Sequence, residues 1–415
     1  MEALLEEEKL ARLDGDKERS TEILRKLVDS TKTNEETVNM IKNMSKKKGQ
    51  SKEALWSMIE RSFVLKRDQC SIELVPYSFR EVKEIDLVEE MYREEKLPEQ
   101  EVFDEFLVFL QSLLHLVIEG KIYLEGLRVF VTDSIKQILL SQNRIREALD
   151  VIYNVHVETF SSLSLRDTIT YQLEQIRLSV LSRDFDRATV LSRRVSMRHL
   201  EEIPELKKFY LNRMVFVHLG KSEYASTAEV FNTIRKQNEQ EDTPTSEAPA
   251  LGILYSALSI HEKSSKDVLK RCTESKHCPD SARVIGELFT SKRPIRKNEI
   301  EPMLAQLDAK LEKIFRTHIK EIEDRILEHN VLVVSQCYSR ITTKKISKLF
   351  AIKEETVIFL ITEMVGKNLI SGTVDQISGV VTFSPRSNEL HDWSAEIDSC
   401  LDLIIKTAHN IAKAE

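Results

Sequence analysis

The stretch EDRILEHNVLVVSQCYSRITTKKISKLFAIKEETVIFLITEMV, residues 323–365, decides the fold of the C-terminal part of this chain. It contains two short amphipathic helical patterns, over 341–350 and 353–367. In the first pattern, the residues predicted to face inward are Ile341, Ile346, Leu349 and Phe350. In the second pattern they are Val357, Leu360, Ile361 and Met364, at steps of three and four.

Two short apolar runs follow the second helix. LISGTV (369–374) and GVVTF (379–383) are separated by turn residues that include Asp375 and Ser378, which predicts a β-hairpin. Two helices followed by a hairpin form a winged helix, here 341–385, and Pro385 ends it. The strand at 379–383 is predicted to offer an open edge to another chain.

Upstream of this module, helical periodicity dominates from about residue 20 to 340, and a weak repeat lies within it. The segments NRIREALDVI (143–152), RDFDRATVLS (183–192) and KSEYASTAEVF (221–231) each follow a polar turn. Each has an apolar or aromatic anchor (Ile145, Phe185, Tyr224) and then a small residue (Ala148, Ala188, Ala228). The anchors lie about 40 residues apart, the length of one helix–turn–helix unit, and such units stack into a solenoid.

Composition agrees with a helical protein. The 415 residues include only ten glycines and nine prolines, and 31% of them are charged. The net charge of −7 argues against a nucleic-acid partner. Five cysteines at irregular positions imply no disulfide framework and fit a reducing compartment. The acidic N-terminus is unlike a secretory signal, and the apolar stretch 106–118 is too short to span a membrane.

Loop-forming composition marks three segments. KNMSKKKGQS (42–51) is predicted to be a lysine-rich turn, and QNEQEDTPTSEAPA (237–250) a flexible surface loop. SKRPIRKNEIEP (291–302) is predicted to join the solenoid to the C-terminal module. The predicted domains are therefore 1–290 for the helical repeats, 291–385 for the module and 386–415 for a C-terminal helix.

The last segment, 388–415, is predicted to form one helix with a heptad-like apolar stripe, which favours association with partner helices. The alternative is that this helix folds back on its own winged helix. The residues predicted to contact partners are Val380, Val381, Phe383, Leu390, Trp393, Ile397, Cys400, Ile404 and Ile411.

Sequence motifs of catalysis are absent. The glycine spacing allows neither a P-loop nor a dinucleotide-binding turn, and no HExxH or GxSxG motif occurs. The nearest metal-like cluster is Cys272, His277 and Cys278, with His261 as a candidate fourth ligand. Structural zinc sites usually show paired spacings, so an inter-helix turn is the preferred interpretation. We therefore predict no enzyme activity, no cofactor and no metal.

Winged helices often bind DNA through their second helix. Here that helix carries Glu354, Glu355 and Glu363 against Lys353 and Lys367, which disfavours contact with phosphates. The lysines of TTKKISK (342–348) keep nucleic-acid binding open as an alternative.

Several phrases of the sequence resemble the PCI-domain subunits of the 26S proteasome lid. One is the EHN run, Glu328, His329 and Asn330. It is followed by the YSRI run that leads into the winged helix, Tyr338, Ser339, Arg340 and Ile341. Others are EGLRVFVT (125–132), the segment 155–178, DFDRATVLSRRV (184–195) and NELHDWSAEIDSCLDLI (388–404).

The resemblance implies a right-handed, TPR-like helical-repeat solenoid, a PCI winged-helix module and a C-terminal bundle helix. It implies a non-catalytic scaffold that supports ubiquitin-dependent protein degradation from the cytoplasm and nucleus. The implied hetero-oligomeric partners are other lid PCI subunits, the lid deubiquitinase, the ATPase ring and the core particle, without nucleic acid or membrane. A PCI subunit of the signalosome or of eukaryotic initiation factor three remains an alternative of the same architecture.

Overall fold

The computed structural model describes residues 2–31, 33–70, 104–240 and 246–384, with five single positions, 397, 400, 401, 403 and 404. The chain divides into two compact units, Met1–Glu223 and Tyr224–Glu415. Helices dominate both units, and the described strands all lie in the second one. The prediction of a mostly α, helical-repeat fold with a winged helix near the C-terminus is confirmed. No described helix is both long enough and apolar enough to cross a bilayer.

The described part of the first unit is built from helices. They are α1 (Glu2–Asp14), α2 (Lys17–Asp29), α3 (Asn34–Ser45), α4 (Lys52–Cys70), α5 (Asp104–Leu113), α6 (Glu125–Ser141), α7 (Ile145–Tyr153), α8 (Leu165–Leu181), α9 (Phe185–Ser192), α10 (Met197–Glu202) and α11 (Pro204–Gly220). A π-helical turn, Leu114–Ile118, extends α5, and 3₁₀ turns occupy Ile122–Leu124 and Val157–Thr159.

The second unit continues with helices and ends in the winged helix. Its elements are α12 (Tyr224–Gln240), α13 (Glu247–Leu258), α14 (Lys263–Thr273), α15 (Asp280–Thr290), α16 (Lys297–Leu304), α17 (Ala309–Thr317), α18 (Ile319–Cys337), β1 (Arg340–Thr342), α19 (Thr343–Phe350), α20 (Glu354–Gly366), β2 (Gly372–Asp375) and β3 (Val380–Phe383). The predicted domain boundary at residue 290 stays a prediction, since the division into units falls at 223 and 224.

The predicted repeat is visible at each of its three positions. The anchors Ile145, Phe185 and Tyr224 are the first residues of α7, α9 and α12. The small residues that follow them, Ala148, Ala188 and Ala228, are each fully buried. The helices before the three turns, α6, α8 and α11, are each 17 residues long. In each repeat the alanine therefore lies at the start of the second helix, where its small side chain lets a neighbouring element pack closely.

Each repeat turn has the same backbone conformation, which the sequence reasoning missed. Asn143, Arg183 and Ser222 adopt left-handed φ angles of 57°, 58° and 57°. The next amide donates to the carbonyl five residues back, as from Arg144 N to Leu139 O at 2.8 Å. This is a Schellman motif, which usually places glycine at the left-handed position. Because no glycine occupies that position here, the usual sequence signal is missing.

One glycine is required by close packing in the first unit. A Cβ on Gly220, at the end of α11, would lie 2.2 Å from the ring of the anchor Phe185. The aromatic anchor of one repeat thus fills the space left by the missing side chain of the next helix.

A buried ion cluster holds α6 against α8. Lys136 Nζ lies 2.7 Å from Asp133 Oδ1 and 2.9 Å from Glu174 Oε1, and Arg177 Nε lies 2.8 Å from Glu174 Oε2. Burial alone would raise the pKa of Glu174, but Lys136 and Arg177 outweigh it and hold the pKa well below its usual range. Removing either partner of such a pair leaves a buried charge unpaired, so the cluster disfavours packing arrangements of α6 and α8 that separate these groups.

The prediction of a flexible surface loop at 237–250 is wrong for most of these residues. Residues 237–240 end α12, and α13 begins at Glu247, while 241–245 lie outside the described residues. Ala248, Pro249 and Ala250 are buried in the first turn of α13. A proline there loses no helical hydrogen bond, so its presence does not stop the helix.

The first winged-helix helix starts later than predicted. Ile341 lies in β1, where it pairs with Val381, and α19 begins at Thr343 after the N-cap Thr342. Ile346 is fully buried, but Leu349 is 55% exposed, so the prediction that Leu349 faces inward is wrong. With this start, Leu349 falls on the outer side of α19 beside Lys345 and Lys348.

Overpacking tests the role of the repeat alanines. Ala188→Leu should destabilise the chain by about 1–3 kcal/mol, because the added atoms have no space at a fully buried position. The measurement is the urea midpoint followed by circular dichroism. Val190→Leu, on the same helix at a position that is 46% exposed, is the matched control and should change stability by less than about 0.5 kcal/mol. Equal stability of the two variants would contradict close packing at Ala188.

Candidate partner-binding surfaces

Helix α18 fixes the segment that precedes the winged-helix module. Asn330, buried in α18, accepts a hydrogen bond from Ile295 N at 2.6 Å and donates one to Ile295 O at 2.8 Å. The amide side chain therefore pairs with Ile295 as a neighbouring strand would. Ile295 lies between α15 and α16, outside any helix, so its backbone N–H and C=O groups make no helical hydrogen bonds. We call this contact, with those of Glu328 and His329, the EHN clamp.

The other two residues of the EHN clamp are also buried. His329 Nε2 lies 3.2 Å from Arg293 O, and its ring packs edge-on against Phe289. Burial lowers the pKa of His329, which favours the neutral ring. Glu328 Oε2 lies 2.6 Å from His261 Nε2 and also bonds Arg325. Burial would raise the pKa of Glu328, but His261 and Arg325 outweigh it and lower the pKa.

The C-terminal half of α18 belongs to the winged-helix core. Val331 and Val334 pack in one cluster with Ile346 of α19 and Ile361 of α20. The strands close that cluster from the other side through Val381 and Phe383. The EHN clamp and the winged helix are thus built on one continuous helix.

The sheet order corrects the predicted strand edge. The three strands run in the order β1-β3-β2, all antiparallel, so β3 is central and has neighbours on both sides. Val381 and Phe383 are buried in the core and Val380 is half-buried. The prediction that 379–383 offers an open edge is therefore wrong, and Val381 and Phe383 serve the core of their own module. The three-residue strand β1 pairs with the side of β3 that the sequence analysis expected to be open.

The sheet has an outer strand on each side, β1 and β2, and β2 is the longer of the two. Ser384 N donates to Ser371 O at 2.9 Å, and antiparallel pairing alternates, so Thr373 and Asp375 face β3. The N–H groups of Gly372 and Val374 then point away from β3. In the described part of the chain no further strand pairs with β2. This is an edge of the kind that accepts a strand from another chain.

The C-terminal stripe is described at five positions only. Ile397, Cys400, Leu401, Leu403 and Ile404 are helical, and Ile397, Leu401 and Ile404 are 53%, 50% and 63% exposed. These three follow the spacing i, i+4, i+7 of one helix face. The predicted partner residues Leu390, Trp393 and Ile411 lie outside the described residues.

The candidate zinc ligands are dispersed. Cys272 and Cys278 are buried thiols, His277 is exposed, and His261 bonds Glu328 in the EHN clamp. Burial raises the pKa of Cys272 to about 12 and that of Cys278 to about 11, so both thiols stay protonated. Over the described residues, no group of His, Cys, Asp and Glu has the arrangement of a metal site.

Two family models match this chain. The N-terminal domain described as PSMD12/CSN4 matches residues 85–242, and the PCI domain matches residues 296–385. Residues 85–242 and 296–385 of this chain are therefore similar to these two domain families. The PCI match begins at the residue after Ile295, which the EHN clamp holds, and it ends with the winged helix.

Curated relatives match most or all of this chain. The 26S proteasome regulatory subunit RPN5 of Saccharomyces cerevisiae is 26% identical over 100% of this chain and 90% of its own length. The 26S proteasome non-ATPase regulatory subunit 12 homolog A of Arabidopsis thaliana is 28% identical, over 100% and 95%. The COP9 signalosome complex subunit 4 of Drosophila melanogaster is 26% identical, over 65% and 67%. The predicted resemblance to proteasome lid PCI subunits is confirmed.

Removing the Asn330 amide tests the EHN clamp. Asn330→Ala should accelerate amide hydrogen exchange at residues 293–296 by about tenfold or more, because Ile295 loses both partners, a loss of about 1–3 kcal/mol. Mass spectrometry of peptic fragments measures this locally. Asn154→Ala, which removes a single exposed hydrogen bond to Asp150 O, is the control and should leave 293–296 unchanged. Unaltered exchange at Ile295 in Asn330→Ala would contradict the clamp.

Proposed function

We propose that this chain is a non-catalytic scaffold subunit of the 26S proteasome lid that supports ubiquitin-dependent protein degradation. The observation that carries the proposal is the match to proteasome regulatory subunits over 100% of the chain, with most of each relative covered. The relatives are regulatory and non-ATPase subunits by name, in agreement with the absence of the common catalytic motifs from this sequence.

The surfaces that suit this role are a strand edge and an apolar helix face. An incoming strand would pair with the outward amides of β2, which gives affinity through main-chain hydrogen bonds. A helix from another subunit would cover the exposed residues of the 397–404 segment. The proposed partners are other lid PCI subunits and the lid deubiquitinase, and the assembled lid would contact the ATPase ring and the core particle. The proposed location is the cytoplasm and nucleus, which the free buried thiols suit because both compartments are reducing.

Membership of the COP9 signalosome is the second candidate. The PSMD12/CSN4 match and the signalosome subunit 4 relatives favour it. Its support is narrower, since those relatives match 65% or less of the chain. Purification of the tagged chain under native conditions, with mass spectrometry of the co-eluting proteins, separates the two. Proteasome lid subunits support the proposal, signalosome subunits support the second candidate, and elution of the chain alone overturns both.

A proline on β2 tests edge pairing. Val374→Pro removes an outward N–H but keeps an apolar residue, and proline is tolerated on edge strands. Incorporation of this variant into the lid should fall severalfold on native gels. Val374→Ala loses a comparable part of the side chain but keeps the N–H, so it should assemble normally. Normal assembly of both variants would show that the β2 edge is not used.

Polar substitutions in the C-terminal segment test the apolar face. Ile397→Ser with Ile404→Ser should reduce incorporation severalfold while the melting temperature of the free chain changes little, because both residues are exposed. Val190→Ser with Met197→Ser, at positions that are 46% and 47% exposed in the first unit, controls for lost surface hydrophobicity. A lowered melting temperature of the free Ile397/Ile404 variant would indicate packing within the chain instead.

A further inference from the structure

Helix α19 presents a continuous basic face to solvent. Lys344, Lys345 and Lys348 are all exposed, while Thr343 and Ile346 on the opposite side are buried. At the helical spacing these lysines occupy adjacent positions on the outer side of α19. Arg340, four residues earlier on β1, is exposed as well. We call Lys344, Lys345, Lys348 and Leu349 the α19 face.

The lysines of the α19 face have no acidic partner within the described residues. Many Lys and Arg residues of this acidic chain form ion pairs, for example Arg12 with Glu8 and Lys367 with Glu363, but none of these three lysines does so within the described residues. No Asp or Glu occurs between Glu328 and Glu354. Glu354 contacts the buried side of α19, where Thr343 Oγ1 lies 3.3 Å from Glu354 Oε2. The positive charge is therefore left available to a partner.

Apolar groups accompany the charge. Leu349 is 55% exposed and lies beside Lys345 and Lys348 on the same side of the helix. Tyr338 is 38% exposed, and the Lys345 ammonium sits over its ring at 5.1 Å from the centroid. A leucine with over half of its surface in water, among three unpaired lysines, suits a ligand that offers both carboxylates and apolar side chains.

We propose that the α19 face binds an acidic peptide segment with interleaved apolar residues, supplied by a partner protein. Carboxylates of that segment would pair with Lys344, Lys345 and Lys348, and an apolar side chain would cover Leu349 against Tyr338. The proposal needs neither the β2 edge nor the 397–404 segment and holds whichever complex the chain joins.

The charge around the α19 face favours a peptide over a nucleic acid. In the first turn of the neighbouring helix α20, Glu355 is exposed and would repel a phosphate backbone that continues from α19 past α20. A short peptide can place its carboxylates on the lysines and end before Glu355. The exposed Leu349 also has no role in binding phosphates.

Fluorescence anisotropy with the full chain at physiological salt tests this assignment. The probes are a short labelled peptide in which Glu and Leu alternate, a peptide of equal length with Ser in place of Leu, and an oligothymidylate of equal charge. The test variant is Lys344→Gln, Lys345→Gln and Lys348→Gln together, which keeps helix propensity. The control replaces three exposed cations of the same unit with glutamine, Lys266, Arg271 and Lys276.

The wild type should bind the Glu/Leu peptide more tightly than the Glu/Ser peptide. The triple variant should bind it about tenfold more weakly, while the control changes affinity less than about twofold. Leu349→Ser should remove the difference between the two peptides, and arginine at the three lysine positions should restore binding. Far-UV circular dichroism verifies that each variant is folded.

Three results would overturn the proposal. No binding of the Glu/Leu peptide by the wild type is the first. Equal weakening by the test variant and the control is the second, because it would indicate unspecific attraction to cations. Tighter binding of oligothymidylate, abolished by the test variant, is the third and would assign the face to nucleic acid.

Discussion

Helix α18 makes specific contacts at both of its ends, and the arrangement of the second unit depends on this constraint. Near its N-terminus, Glu321 bonds the Tyr224 hydroxyl at 3.0 Å, and His318, its N-cap, packs edge-on against Tyr255. At its C-terminal end, Val331 and Val334 belong to the winged-helix core. Because a helix of 19 residues is stiff over this length, the winged helix is held at a fixed distance and rotation from α12 and α13. The EHN clamp lies between the two ends.

The polar residues of α18 are buried for a definite reason. A buried amide or carboxylate without partners costs free energy, whereas one with two or more hydrogen bonds fixes a geometry. Asn330 bonds both backbone groups of Ile295, so this residue can be buried although it lies in an irregular and otherwise mostly exposed segment between α15 and α16. The Lys136–Glu174 ion pair likewise provides partners for buried charged groups between α6 and α8 of the first unit. In each unit, a small polar contact selects one arrangement among the several that apolar packing alone would allow.

Local patterns predicted the helices well, and long-range pairing was the source of error. Ala148, Ala188 and Ala228 could be placed because each depends on a turn within a few residues. The central position of β3 depends on β1, a strand of three residues that lies nearly forty positions away and has no periodicity of its own. Leu349 was misplaced for the same reason, since the start of α19 at Thr343 is set by that strand. Burial in α13 overrode the polar and proline-containing composition of 246–250.

The EHN run shows how a motif can be recognised without its role being understood. Its three polar residues on a helix suggested a family, but their partners Arg293, Ile295 and His261 come from distant positions.

In the proposed assembly, strand pairing alone cannot provide specificity for one partner. A strand edge such as β2 presents the same main-chain groups in every winged helix, so edge pairing alone cannot select one neighbour among several PCI subunits. Selection has to come from side chains close to that edge, such as Ile377, fully exposed at the tip of the β2–β3 hairpin. It can also come from charged surfaces on the same module, such as the exposed lysines of α19 on an otherwise acidic chain.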